Sequence, residues 1–266
     1  MTAEKTRPVT VITNPLFYAL AVPAVIALGL SKGGFAGMGQ MATPMLALVM
    51  PPLEAAAIML PIMILQDASA VWVYRREWNR QIFVIVIGGA VVGIGVAWAV
   101  ASSISEAAVR LFVGVITIAF CLYNWIGPKR VTGEPDADFG RPGVPGGLFW
   151  GALSGFTSTI CQAGGPPYQM YVLRMNMPKM LFVGTNTMVF AAMNWLKVIP
   201  YFALGQFSTK GLGTSLVLVP LALASNQLGF WLVRRVSTET FYRVMLIVLF
   251  AISVELVREG ILELGH

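Results

Sequence analysis

The chain of 266 residues has almost no histidine: its one imidazole belongs to His266, the last residue. Histidine-based catalysis and multi-histidine metal sites therefore have nothing to build on. Cysteine is nearly as scarce. Cys121 and Cys161 stand far apart inside apolar runs, with neither metal-ligand spacing nor a disulfide framework. Charged residues make up 11% of the chain, against about 25% in an ordinary soluble domain. There is no P-loop, so the chain carries no nucleotide-hydrolysing motif of that kind. Clustered acids or metal ligands, which a membrane-embedded enzyme would need, are missing as well. The sequence reads as that of a non-enzyme, with no cofactor expected.

What is present is apolar. The chain is 57% hydrophobic with a mean hydropathy of +0.75, more than a soluble core could hide, so the bilayer is its solvent and lipid its partner. The net charge of +6 then reports which loops face the cytoplasm rather than a nucleic-acid partner. A retained first helix fits the run Phe17 to Leu30 better than a cleaved signal, because hydrophobic segments follow it directly.

Apolar segments fall at about 15–30, 36–50, 55–73, 82–100, 107–126, 146–160, 164–173, 181–204, 212–233 and 241–257. Six approach the roughly 20 residues that span a bilayer. The other four are short and flank two breaks. The first break lies in "LGLSKGGFAGMGQMATPML", with glycines at 29, 33, 34, 37 and 39, and the second in "SGFTSTICQAGGPPYQMYVL". The one long polar stretch, 127–145, holds four prolines and four glycines and reads as a linker.

The two sides of that linker resemble each other. An offset of 127 places Pro51 on Pro178, Asp67 on Asn194 and Tyr74 on Tyr201. An offset of 133 places Glu106 on Glu239 and Arg110 on Arg243, and Gly39 falls on Gly164 at 125. The consistent order argues for a duplicated unit. The predicted fold is an all-α integral membrane protein of two similar halves, 1–126 and 146–266. Each is a short broken-helix hairpin followed by three long transmembrane helices. An odd number of crossings per half inverts the second copy, the plan of many secondary transporters.

Counted along that topology, Arg75, Arg76, Arg80, Lys129, Arg130, Arg141, Arg174, Lys179, Arg234, Arg235 and Arg243 share one side. Lys5, Arg7, Arg110, Lys210 and Arg258 share the other. The richer side is cytoplasmic. The chain is thus expected in the cell (inner) membrane, multi-pass, with both termini periplasmic and the linker cytoplasmic.

Broken backbone survives at membrane depth where it lines a cavity or is buried in protein. Two breaks, one per half, point to one binding site between them, and the helix starts after Gly39 and Gly164 offer free N–H groups to an anion. Candidate substrate-binding residues are Lys32, Gly33, Gly34, Gly37, Gly39, Gln40 and Thr43 at the first break. At the second they are Ser158, Thr159, Gln162, Gly164 and Gly165, joined by Asn194 and Lys197. Lys32 and Lys197 each admit two readings, a charge that attracts the anion or a lysine that snorkels to the interface. Asn186, Asn194 and Lys197 share one helical face, as a cavity lining or as interhelical hydrogen bonds. Asp67 is the coupling candidate, for a proton or sodium, or else the acid in a static bond to Lys32, Lys197 or a broken helix end. Cys161 reads as a small apolar filler.

The motifs "GMGQMATPML", "CQAGGPPYQMYVL" and "RMNMPKMLFVGTN…NWLKVIPY", with the duplicated layout, resemble the TauE/SafE family of sulfite exporters. The resemblance covers most of the chain outside the linker. It implies a secondary transporter of a small sulfur-containing anion, in the class of sulfite, sulfonates or sulfoacetate, working by alternating access. A channel-like anion pore is the alternative.

Overall fold

The computed structural model describes residues 11–32, 38–101, 103–126, 143–172, 175, 177–232 and 238–264. The described residues form ten α-helices and no strand. α1 (Pro15–Lys32) leads to the first break, a 3-10 turn at Met38–Met41 and the six-residue α2 (Ala42–Ala47). α3 (Pro52–Tyr74), α4 (Arg80–Ala101) and α5 (Glu106–Ile126) follow. The order then repeats. α6 (Val144–Cys161) ends at the second break, and α7 (Gly165–Val172) is short. α8 (Lys179–Ala203), α9 (Thr209–Leu232) and α10 (Thr238–Leu264) are long.

Prolines set matching helix starts in the two runs. Pro51 caps α3 at φ −53°, ψ 133°, and Pro178 caps α8 at φ −51°, ψ 139°. Extended backbone before a helix is what a proline at that position prefers, and its missing N–H is no loss there.

α1, α3, α4, α5 and α9 each contain a stretch long and apolar enough to cross a membrane. α8 and α10 are longer, at 25 and 27 residues, but more polar in composition. The expectation of two short helices in each hairpin needs correcting. The first arms, α1 and α6, are 18 residues each. The polar Ser31 and Lys32 hide the end of α1 from a reading based on apolar runs, and the apolar segment 146–160 falls short of α6 by Val144 and Pro145 at its start and Cys161 at its end.

Packing pairs the elements across the halves. α1 lies along α9 and α6 along α4. α3 packs on α8 and α9, α8 on α3 and α4, and α5 on α10. Directions follow from the contacts. The Ile12 N–H donates to Thr214 Oγ1 (3.0 Å), and Gly29 abuts Ser225, so α1 and α9 run parallel. Gly89 meets Leu148 and Gly93 meets Ala152, so α4 and α6 run parallel too. α3 and α8 run antiparallel: Ala57 clusters with Tyr201, Asp67 meets Asn194, and Tyr74 lies beside Gly184. α5 and α10 are also antiparallel, with Arg110 on Glu259 and Cys121 on Leu246.

The α4–α6 contact depends on small residues. Gly147, Gly151 and Gly155 repeat every four residues along α6. A Cβ at Gly151 would overlap the Val86 carbonyl oxygen, and one at Gly93 the Ala152 carbonyl oxygen. Such backbone proximity gives van der Waals contact where lipid supplies no hydrophobic drive between helices.

Candidate functional site

Two buried polar clusters stand where α1, α3, α6 and α8 meet. In the first, the Lys32 ammonium at the end of α1 pairs with Asp67 Oδ1 on α3. Asn194 Nδ2 on α8 donates to Asp67 Oδ2 at 2.6 Å. Asp67 is 1% exposed and Asn194 not at all. Both carboxylate oxygens are thus engaged, and Asp67 takes Lys32 as its cation. A buried carboxylate requires such partners.

The second cluster holds Lys197, which is 0% exposed. Its Nζ donates to Gln162 Oε1, to Ser158 Oγ at 2.9 Å and to the Ser158 carbonyl at 3.4 Å. An ammonium has three protons to donate, and here three acceptor atoms receive them. None is a carboxylate.

Both clusters border one cavity of about 60 Å³. Ser31, Lys32 and Gly39, on either side of the first break, stand at its wall, and Ser158, Gln162 and Gly165 bring the second. Gln169, Asn186 and Thr187 add polar groups; Leu28, Met63, Phe182, Val183 and Phe190 make an apolar side. A water needs roughly 10–15 Å³ of such space, so the cavity has room for a few waters or one small oxyanion.

The second break owes its shape to Gln162, the only non-glycine among the described residues with positive φ, at 57°. It ends α6 in the left-handed conformation that glycine usually supplies. Its amide holds it there, accepting from Lys197 and donating to the Ala56 carbonyl at 3.3 Å. Beside it, the Tyr201 hydroxyl donates to the Thr159 carbonyl at 2.6 Å. The end of α6 is therefore tied to α3 by one side chain and to α8 by two.

A second, larger cavity of about 360 Å³ lies past the other end of α8. It is lined by the start of α3 from Pro51 to Glu54, by Glu106, and by Gly205, Gln206 and Ser208. Ile160 lines it as well. One helical turn, Ser158 to Gln162, thus presents Ser158 and Gln162 to the smaller cavity and Ile160 to the larger.

The sequence-predicted residues separate on this geometry. Lys32, Gly39, Ser158, Gln162 and Gly165 line the smaller cavity, and Asn194 and Lys197 stand directly behind its polar wall. Thr159 takes part through its carbonyl, while its hydroxyl donates to Gly155. Gly164 packs against Ser154 and Ser158. Thr43 is buried on α2, away from the lining, with no hydrogen-bond partner for its hydroxyl among the described residues. Gly33, Gly34 and Gly37 lie outside the described residues, as does the Gln40 side chain. The helix start after Gly39 is only a 3-10 turn and six residues, which aligns too few peptide dipoles for the anion-binding role expected of it. Sequence reading missed Ser31, Gln169 and Tyr201. Tyr201 was within reach, since it extends the Asn194–Lys197 face by one turn.

Among the described residues, ten helices, several of them long and apolar enough to span a bilayer, with two that end beside one partly polar cavity, are the architecture of an integral membrane protein. The model of the family Sulfite exporter TauE/SafE matches residues 19–256, and the chain belongs to that family. The match runs across both helix series and the linker between them. Comparison with curated proteins and with solved structures returns no match.

Proposed function

We propose that the chain is a secondary transporter that moves a small sulfur-containing anion, of the sulfite, sulfonate or sulfoacetate class, across the cell membrane by alternating access. One observation carries this reading. The cavity at the meeting of the two breaks is backed by two lysines, Lys32 and Lys197, against one carboxylate, Asp67. Charge buried at membrane depth needs compensation, and an anion in the cavity supplies it. The Ser158 hydroxyl accepts from Lys197, which polarises its own O–H toward a further acceptor. Gly39 and Gly165 leave room at the wall, and the Phe182–Phe190 side suits a short organic tail.

Alternating access is favoured over a pore because the last turn of α6 separates the two cavities. A pore needs a continuous path. An inverted repeat of 1–126 and 146–266 about the 127–145 linker supports the same reading. Equivalent helices, α3 with α8 and α5 with α10, run antiparallel, and Asp67 bonds its own repeat partner Asn194, as residues near a two-fold axis would. On this topology both termini are periplasmic and the linker is cytoplasmic. The coupling ion is a proton or sodium. Asp67, with both oxygens engaged, fits the static role better than that of ion carrier.

Purified protein in liposomes should accumulate a radiolabelled sulfonate or sulfite in exchange for internal unlabelled anion. Protein-free liposomes should not. Flux that never saturates and shows no exchange would favour the pore and overturn this reading.

A further inference from the structure

We propose that Asp67 sets the charge of the anion the site accepts, making it selective for monovalent over divalent oxyanions and, within the class proposed above, for hydrogensulfite and simple sulfonates over the dianion sulfoacetate. The inference rests on the transport reading above and extends it to specificity. The geometry provides the arithmetic. With an anion in the cavity Lys197, whose three surrounding acceptors match the three protons of an ammonium, is the second positive charge beside Lys32. Asp67 removes one by pairing with Lys32. Its second oxygen is fixed by Asn194 at 2.6 Å, so the carboxylate stays with the pair and does not turn to Lys197. Lys197 meets only the neutral acceptors Ser158 and Gln162. The cluster is left one negative charge short. A monoanion closes it to neutrality; a dianion leaves a net negative charge in a largely buried place, where screening by water is weak. Asp67 is behind Lys32 and outside the cavity lining, so it acts through the field and through the position of Lys32, not by touching the anion.

The test is isothermal titration of the purified full chain at neutral pH with two probes, methanesulfonate as monoanion and sulfate as dianion. Wild type should bind methanesulfonate at least about tenfold more tightly than sulfate. Asp67→Asn, which leaves two uncompensated cations, should shift that ratio toward sulfate by about tenfold or more. The double variant Lys32→Gln, Asp67→Asn restores a single net charge and should return the ratio to that of wild type. This return is something a merely structural role would not produce. Equal wild-type affinity for both probes, or a folded Asp67→Asn protein with an unchanged ratio, would overturn the inference alone. So would a double variant that stays shifted toward sulfate. Failure of wild type to bind either probe would count against the transport reading itself. If Asp67→Asn does not fold, the wild-type ratio and the double variant decide the matter.

Discussion

Replacing Lys197 with methionine removes one charge and keeps nearly the same side-chain length. An oxyanion that accepts from the Ser158 hydroxyl would sit one hydrogen bond beyond Oγ, itself 2.9 Å from Nζ. The charges would then be roughly 6 Å apart, since a second hydrogen bond adds about 2.8 Å. At an effective dielectric of about 20 their attraction is about 2.8 kcal/mol, a factor of roughly 100 in affinity. Stability should move less. The variant leaves Gln162 Oε1 and Ser158 without their donor, at a cost of about 1–3 kcal/mol, but it also removes a charge that is expensive to bury. Titration of purified Lys197→Met with methanesulfonate, alongside a thermal melt, separates the two effects. The expected outcome is a loss of about 100-fold in affinity with a melting temperature close to wild type. A folded variant that binds within threefold of wild type would refute the assignment of Lys197 to the anion.

Three further outcomes are expected. Gln162→Gly and Gln162→Ala should both lose transport, because each removes the tie to Lys197 and Ala56, but the glycine variant should be the more stable by about 1 kcal/mol, since it alone accepts the left-handed backbone without strain; thermal melts compare them. Gly151→Leu should abolish the folded protein by pushing α6 off α4, read as loss of the monodisperse peak in detergent, whereas Gly143→Leu, where a Cβ meets nothing within 4 Å, should not. Reporter fusions at His266 and Asp136 should report opposite sides of the membrane, and the same side for both would end the inverted-repeat reading.

Much of this site was legible in the sequence because its signals are local. A glycine-rich gap between apolar runs marks a candidate helix break, and residues beside both gaps line one cavity. The offset aligned Asp67 with Asn194 but carried no expectation of contact; that the two are hydrogen-bonded at 2.6 Å comes from the packing of α3 on α8. Other features depended on distances between helices that no spacing encodes. Whether Asp67 would take Lys32 or Lys197 was undecidable from the chain, because both lysines adjoin apolar runs and only the packing of the end of α1 against α3 brings one within reach. The aromatic side of the cavity was equally hidden: Phe182 and Phe190 look like any lipid-facing residues of an apolar helix until α7 packs beside them. Gln162 was read as a substrate ligand. Its left-handed backbone and its role in holding the end of α6 could not be inferred from an amide side chain next to Ala163.

The most direct measurement is a ligand-bound structure with a sulfonate carrying an anomalous scatterer, such as bromomethanesulfonate. The expected result is a single anomalous peak in the cavity bounded by Lys32, Ser158, Gln162 and Gly165, with the sulfonate oxygens toward Ser158 and the bromine toward Phe182 and Phe190. A peak in the larger cavity beside Glu54 and Glu106, or on the outer surface with the smaller cavity empty, would contradict an anion site formed where the two breaks meet.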